Sequence, residues 1–148
     1  MANKLCTVLF FLLSLCSVSS CNHYAVSINE NPVYTPPPLY SGYQFIDQAL
    51  NTCVKQTIAD KNVIAANKLL ELNCSHAGIQ SLAGLEHFNA LEKLNLANNE
   101  IADSAALSQL KQLKYLDLTG NEKLRCTDLN WADANRPDHL MLPEHCQR

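Results

Sequence analysis

Long hydrophobic runs are missing from this sequence. The most apolar stretch, Leu5 to Leu15, is eleven residues long, short of the roughly 18 that a membrane-spanning helix needs. Charge is scarce too. It is carried by 17% of the residues, with 11 Lys plus Arg against 14 Asp plus Glu, and a net charge of −3 leaves no basic surface to hold a polyanion. Nucleic acid is therefore not an expected partner. Four glycines without periodic spacing exclude collagen-like structure. The signatures of catalysis are also lacking: there is no Gly-x-Ser-x-Gly, no His-Glu-x-x-His, no Cys-x-x-Cys and no glycine loop to cradle a phosphate. Carboxylates are scattered rather than paired for hydrolysis. Neither an enzyme nor a cofactor is expected. What the chain does have is 47% apolar residues over 148 positions, which excludes a disordered chain and suits one domain of ordinary size.

Residues 1–20 have the layout of an export signal: one charge at Lys4, the apolar stretch, then the small polar run Ser17 to Ser20. Val18-Ser19-Ser20-Cys21 resembles the bacterial lipobox, in which an aliphatic and two small residues precede the cysteine that receives lipid. Cys16 competes, but bulky Leu15 stands where the lipobox has a small residue. The resemblance implies that Cys21 becomes the first residue and carries three acyl chains. At about 0.8 kcal/mol per buried methylene, several chains make attachment effectively permanent. Asn22 stands where enterobacterial lipoproteins kept at the inner membrane have Asp, so the expected address is the outer membrane, facing the periplasm or the surface. The plainer alternative is a secreted protein cleaved near Ser20.

Over residues 21–43 the sequence reads as a tether rich in proline and tyrosine. Pro32, Pro36, Pro37 and Pro38 interrupt regular structure, and no apolar period is evident. In polyproline II form it would hold a domain up to roughly 60 Å from its lipid. Tyr24, Tyr34, Tyr40 and Tyr43 are open to two readings, a docking motif or packing at the membrane interface or the domain edge.

Residues 72–93 align with 94–115 at a lag of 22: Leu72 with Leu94, Asn73 with Asn95, Ile79 with Ile101, Ala83 with Ala105, Leu85 with Leu107, Phe88 with Leu110 and Leu91 with Leu113. A third register begins at Leu116, with Leu118 and Asn121 in place and Leu124 one residue late. An ordinary helical bundle has no reason to produce this coincidence. The pattern L-x-L-x-x-N-x-I/L resembles leucine-rich repeats of the 22-residue, internalin-like class. That resemblance implies an α/β solenoid, a short stack of about three repeats over 72–124. Leu at alternate positions points inward from a short strand, and the Asn99 and Asn121 amides bond the backbone of neighbouring turns. Ala77 departs from the pattern in the first register. The segments Leu82–Phe88 and Ser104–Leu110 return as short helical pieces on the convex side.

Terminal turns of a stack need covers. Ile46, Ala49, Leu50, Cys53, Val54 and Ile58 recur at helical spacing and predict a capping helix over Phe45–Asp60, within an N-terminal cap and lead-in of 44–71. Residues 125–148 are the expected C-terminal cap, with Leu129, Trp131, Leu140 and Met141 as its apolar lid. Of seven cysteines, Cys6 and Cys16 leave with the signal and Cys21 takes lipid. The other four allow three disulfide pairings. Cys74 stands in place of an inward Leu at the end against which the cap helix packs, and Cys126 and Cys146 bracket the tail. Stack topology thus favours Cys53–Cys74 and Cys126–Cys146, each worth roughly 3 kcal/mol in chain entropy. A metal site of Cys74, His76, His145 and Cys146 has poor zinc spacing, so no metal is expected.

The resemblance implies an interaction module binding a protein, peptide or glycan of the cell envelope. The outward strand residues would stack on a concave face as Glu71, Lys93 and Tyr115; Asn73, Asn95 and Asp117; and Ser75, Ala97 and Thr119. Such a face is narrow against a standard interface of about 800 Å² per partner. The competing reading is a spacer lipoprotein whose tether makes the contacts.

Overall fold

The computed structural model describes residues 26–28, 31–134 and 136–147. The signal segment, Cys21 and Tyr24 lie outside them. The chain divides into two units, Met1–Pro37 and Pro38–Arg148. Among the described residues no helix is long and apolar enough to cross a membrane.

In the first unit, β1 (Val26–Ile28) pairs antiparallel with β2 (Asn31–Tyr34), with Ser27 opposite Pro32 and Ile28 opposite Asn31. The expected uninterrupted extended tether is therefore broken by a hairpin. Val26, Ile28, Val33 and Tyr34 are strand-forming types, and a two-stranded ribbon tolerates a proline because both its strands are edges.

The second unit begins earlier than the tether boundary placed at residue 43. The Tyr40 N–H donates to the Val63 carbonyl at 2.8 Å, and Leu39, Tyr40, Tyr43 and Phe45 pack on the core. Tyr40 meets the fully buried Phe88 edge-on with ring centres 6.0 Å apart, and Phe45 stacks on it at 6.2 Å. Two of the four tether tyrosines thus pack at the domain edge.

Helix α1 (Gln48–Asp60) buries Leu50, Val54 and Ile58, four residues apart on one stripe. It starts later than the predicted Phe45 because Asp47 caps it: Asp47 Oδ1 accepts from the Leu50 N–H at 2.9 Å. Ile46, expected on the buried stripe, precedes the cap and is 89% exposed. The second Asp47 oxygen accepts from the N–H groups of Gln80 and Ser81 at 2.8 and 3.0 Å, so one carboxylate ties the cap helix to the first convex segment. Burial pushes this carboxyl upward, but the backbone N–H donors together hold it below the usual carboxylate range.

Four parallel strands follow: β3 (Glu71–Asn73), β4 (Lys93–Asn95), β5 (Tyr115–Asp117) and β6 (His139–Met141), hydrogen-bonded in that order. Leu72 is in register with Leu94, Leu94 with Leu116, and Leu116 with Leu140. The fourth strand corrects the expectation of about three repeats with a simple lid, because Leu140 and Met141 form a rung rather than only a cover. The inward Leu72, Leu94, Leu96, Leu116 and Leu118, with Cys74, are buried. The returning segments are 3-10 turns, Leu85–His87, Ala105–Gln109 and Cys126–Asn130, with a four-residue helix α2 (Trp131–Ala134) after the last. A period of 22 residues leaves little room for longer helices.

Buried Asn99 and Asn121 form the expected ladder. Asn99 Nδ2 donates to the carbonyls of Cys74 and Leu96 at 2.9 and 2.8 Å, while its Oδ1 accepts from the N–H groups of Ala77 and Ile79. Asn121 repeats the arrangement on Leu96, Leu118 and Ile101. Each amide needs a preceding turn to bond; Ala77, in the first register, has none. His76, Asn98 and Gly120, also at a lag of 22, all have positive φ, at 56°, 56° and 69°. At Gly120 a side chain would collide with the Asn98 amide, which accounts for glycine there.

Candidate binding face

Disulfides close both ends of the second unit, Cys53–Cys74 and Cys126–Cys146. These are the pairings that stack topology favours. Cys74 and Cys146 accordingly have no free thiolate to offer a metal, and the grouping of Cys126, His145 and Cys146 is a disulfide beside a histidine.

Outward residues of the strands form the face, and the end of α1 walls one side of it. Between them lies an open hollow of about 500 Å³ lined by Thr57, Asp60, Lys61, Glu71, Asn73, Lys93, Asn95 and Tyr115, with Leu72 and Leu94 beneath. The expected first column is there and continues to a fourth residue: Glu71, Lys93, Tyr115 and His139 follow one another in register. Lys93 Nζ lies 2.8 Å and Lys61 Nζ 3.6 Å from the Glu71 carboxylate. Hydrogen bonding to Lys93, then the charges of Lys93 and Lys61, lowers the Glu71 pKa, and Glu71 in turn raises that of Lys93. Both stay ionised at neutral pH. Tyr115 is half-buried, its ring centre 6.5 Å from that of His139.

The second column has a different occupation. Asn73 Oδ1 accepts from the Ser75 N–H, Asn95 Oδ1 from the Ala97 N–H and Asp117 Oδ1 from the Thr119 N–H, at 3.2, 2.9 and 2.9 Å. These are Asx turns, in which a short side chain mimics the backbone and turns the strand's end. The column therefore serves the fold with one atom each. Among the described residues the Nδ2 groups of Asn73 and Asn95 have no protein acceptor, so two amide donors remain for the hollow. In the third column Ala97 is buried, and Thr119 Oγ1 donates to Asp117 Oδ1 at 2.7 Å. That column adds little to the face.

Asp60, Lys61 and His139 were missed from sequence. The lysine and aspartate close the cap helix rather than lie on a strand, and His139 sits 24 residues after Tyr115, outside the 22-residue phase.

Residues 89–132 match the family model of Leucine Rich repeats, in 2 copies. This stretch is similar to leucine-rich repeat sequence. It contains β4 and β5, and the four-stranded parallel sheet with α1 at one end fits the fold of such repeats. No curated protein matches the chain. Solved structures similar to it include that of the CBM51-2 and INT domains from Clostridium perfringens ZmpB, and that of CBM51-2 in complex with GlcNAc and INT domains from the same protein. Each is 26% identical over 58% of this chain and 18% of the other, with a TM-score of 0.44. The chain thus spans less than a fifth of the length of these structures.

Proposed function

We propose that the chain is an envelope lipoprotein whose repeats form a short solenoid that binds a protein or glycan through its concave face, without catalysing a reaction. The hollow against the end of α1 carries this reading, because it brings a paired carboxylate and two ammonium groups, two free amides and a half-buried tyrosine onto one surface. Two disulfides in so small a domain suit an oxidising compartment outside the cytoplasm. The resemblance of Val18-Ser19-Ser20-Cys21 to a lipobox supports lipid attachment at Cys21, and Asn22 after it supports the outer membrane as the address.

The test is partner capture by crosslinking in intact cells, followed by affinity measurement on variants. Replacing Lys93 and Tyr115 together by Ala should weaken binding about thirtyfold or more, as truncating a hot-spot aromatic does. Asp117 is left intact because its Asx turn would confound the reading. Gln109→Ala with Lys111→Ala, both exposed on the convex side, is the control. Loss of capture by the convex pair with retention by the concave pair would put the site elsewhere.

A further inference from the structure

The hollow's charges cancel internally. Glu71 is held by both Lys61 and Lys93, while Asp60 accepts a hydrogen bond from Gln56 Nε2 at 2.8 Å. An anionic ligand would therefore have to draw Lys61 or Lys93 away from Glu71, and a cationic one would meet only Asp60, already engaged by the Gln56 amide. What remains to offer a neutral ligand is of another kind: the Nδ2 groups of Asn73 on β3 and Asn95 on β4, able to donate to neutral oxygens, and the ring of Tyr115 on β5, the strand next to that of Asn95. Planar amides meet hydroxyl and ether oxygens at hydrogen-bond distance, and an amphipathic aromatic ring covers the C–H face of a sugar. The volume of about 500 Å³ falls within the range of small-ligand sites and admits a short chain end rather than a folded surface.

From this juxtaposition we infer that the hollow takes a neutral oligosaccharide, its pyranose face on Tyr115 and its hydroxyls on Asn73 and Asn95. The inference rests on the reading of this face as a binding surface and narrows it to one ligand class.

The sequence contains the means to test the amide role without disturbing the fold. Asp117 occupies the position of Asn95 one turn later and makes the same Asx turn, with its Oδ1 accepting from Thr119. Asn95→Asp therefore keeps the bond to the Ala97 N–H while removing the donor. The full chain in detergent is titrated calorimetrically with a panel of neutral oligosaccharides built from glucose, galactose, mannose or N-acetylglucosamine, and with acidic and basic peptides. At least one neutral oligosaccharide is expected to bind, with affinity nearly independent of salt because no ion pair forms. Tyr115→Ala and Asn95→Asp should each weaken that binding about tenfold or more, Tyr115→Phe should retain most of it, and the thermal midpoints should stay near that of the parent.

Binding of charged peptides with steep salt dependence, and of no sugar, would overturn the sugar assignment while leaving the binding face in place. Sugar binding unaffected by Tyr115→Ala and Asn95→Asp would overturn it as well. If no sugar or peptide binds and crosslinked partners ignore the Lys93/Tyr115 substitutions, the sugar assignment and the binding face fall together.

Discussion

Asp47 carries more of the fold than its place before a helix indicates. Removing its side chain with Asp47→Ala deletes the cap on α1 and frees the Gln80 and Ser81 N–H groups, which the same carboxylate holds 2.8 and 3.0 Å away. Loss of an N-cap costs about 1 kcal/mol. Each bond to the second oxygen adds about 0.5–1 kcal/mol once water reaches these half-exposed groups, less than for a buried charge-assisted bond. The expected cost is roughly 2–3 kcal/mol, a fall in Tm of about 10 °C for a domain of this size. Thermal unfolding followed by circular dichroism measures it. The carboxyl pKa is lowered in the folded protein, so its contribution is complete above the unfolded value of about 3.9 and disappears as pH falls through the folded value. Parent stability should thus drop below about pH 4, and Asp47→Asn should flatten that part of the profile. Glu71 and Glu100, lowered chiefly by hydrogen bonds to Lys93 and Lys123, titrate in the same window; high salt screens their exposed ion pairs and isolates Asp47. An Asp47→Ala protein melting within about 2 °C of the parent would refute the reasoning.

Asn121→Ala should cost at least about 2 kcal/mol in denaturant unfolding, because it strands the buried Leu118 carbonyl and Ile101 N–H and takes one of the two amide donors from the Leu96 carbonyl. Cys126→Ser with Cys146→Ser should cost roughly 3 kcal/mol, read from the denaturation midpoint, since the bond closes a loop of sequence separation 20. Cys21→Ser should release the protein from membranes and remove the acyl mass, whereas Cys16→Ser should do neither; flotation and mass spectrometry of the mature protein decide between them.

The lag of 22 made Leu72, Leu94 and Leu116 legible because identical rungs need identical spacing when each turn packs on the next. It carries further than the strand positions reveal: Leu129 and Ala132 stand 22 residues after Leu107 and Leu110, and both are buried. The break comes afterwards. Two extra residues before His139 displace the fourth strand, so Leu140 falls out of phase and reads as a lid. The hairpin in the tether was hidden by its proline, a residue that excludes only central strands. The face was legible as columns but not as chemistry. Whether an outward Asn is a free contact or an Asx turn depends on where its carbonyl oxygen goes, which spacing along the chain does not encode.

The two disulfides would have a mechanical meaning for a domain tethered by its N-terminal end, as the proposed lipid anchor would tether it. They bridge sequence separations of 21 and 20 at opposite ends and leave the strands between Cys74 and Cys126 without a covalent tie. Under tension, the bridged segments cannot pay out, which shortens the chain's maximum extension by about 130 Å. Force arriving from either side passes through a sulfur bridge into the middle turns. Between the bridges, those turns are held by three-residue strands and the Asn99 and Asn121 amides, without a covalent tie.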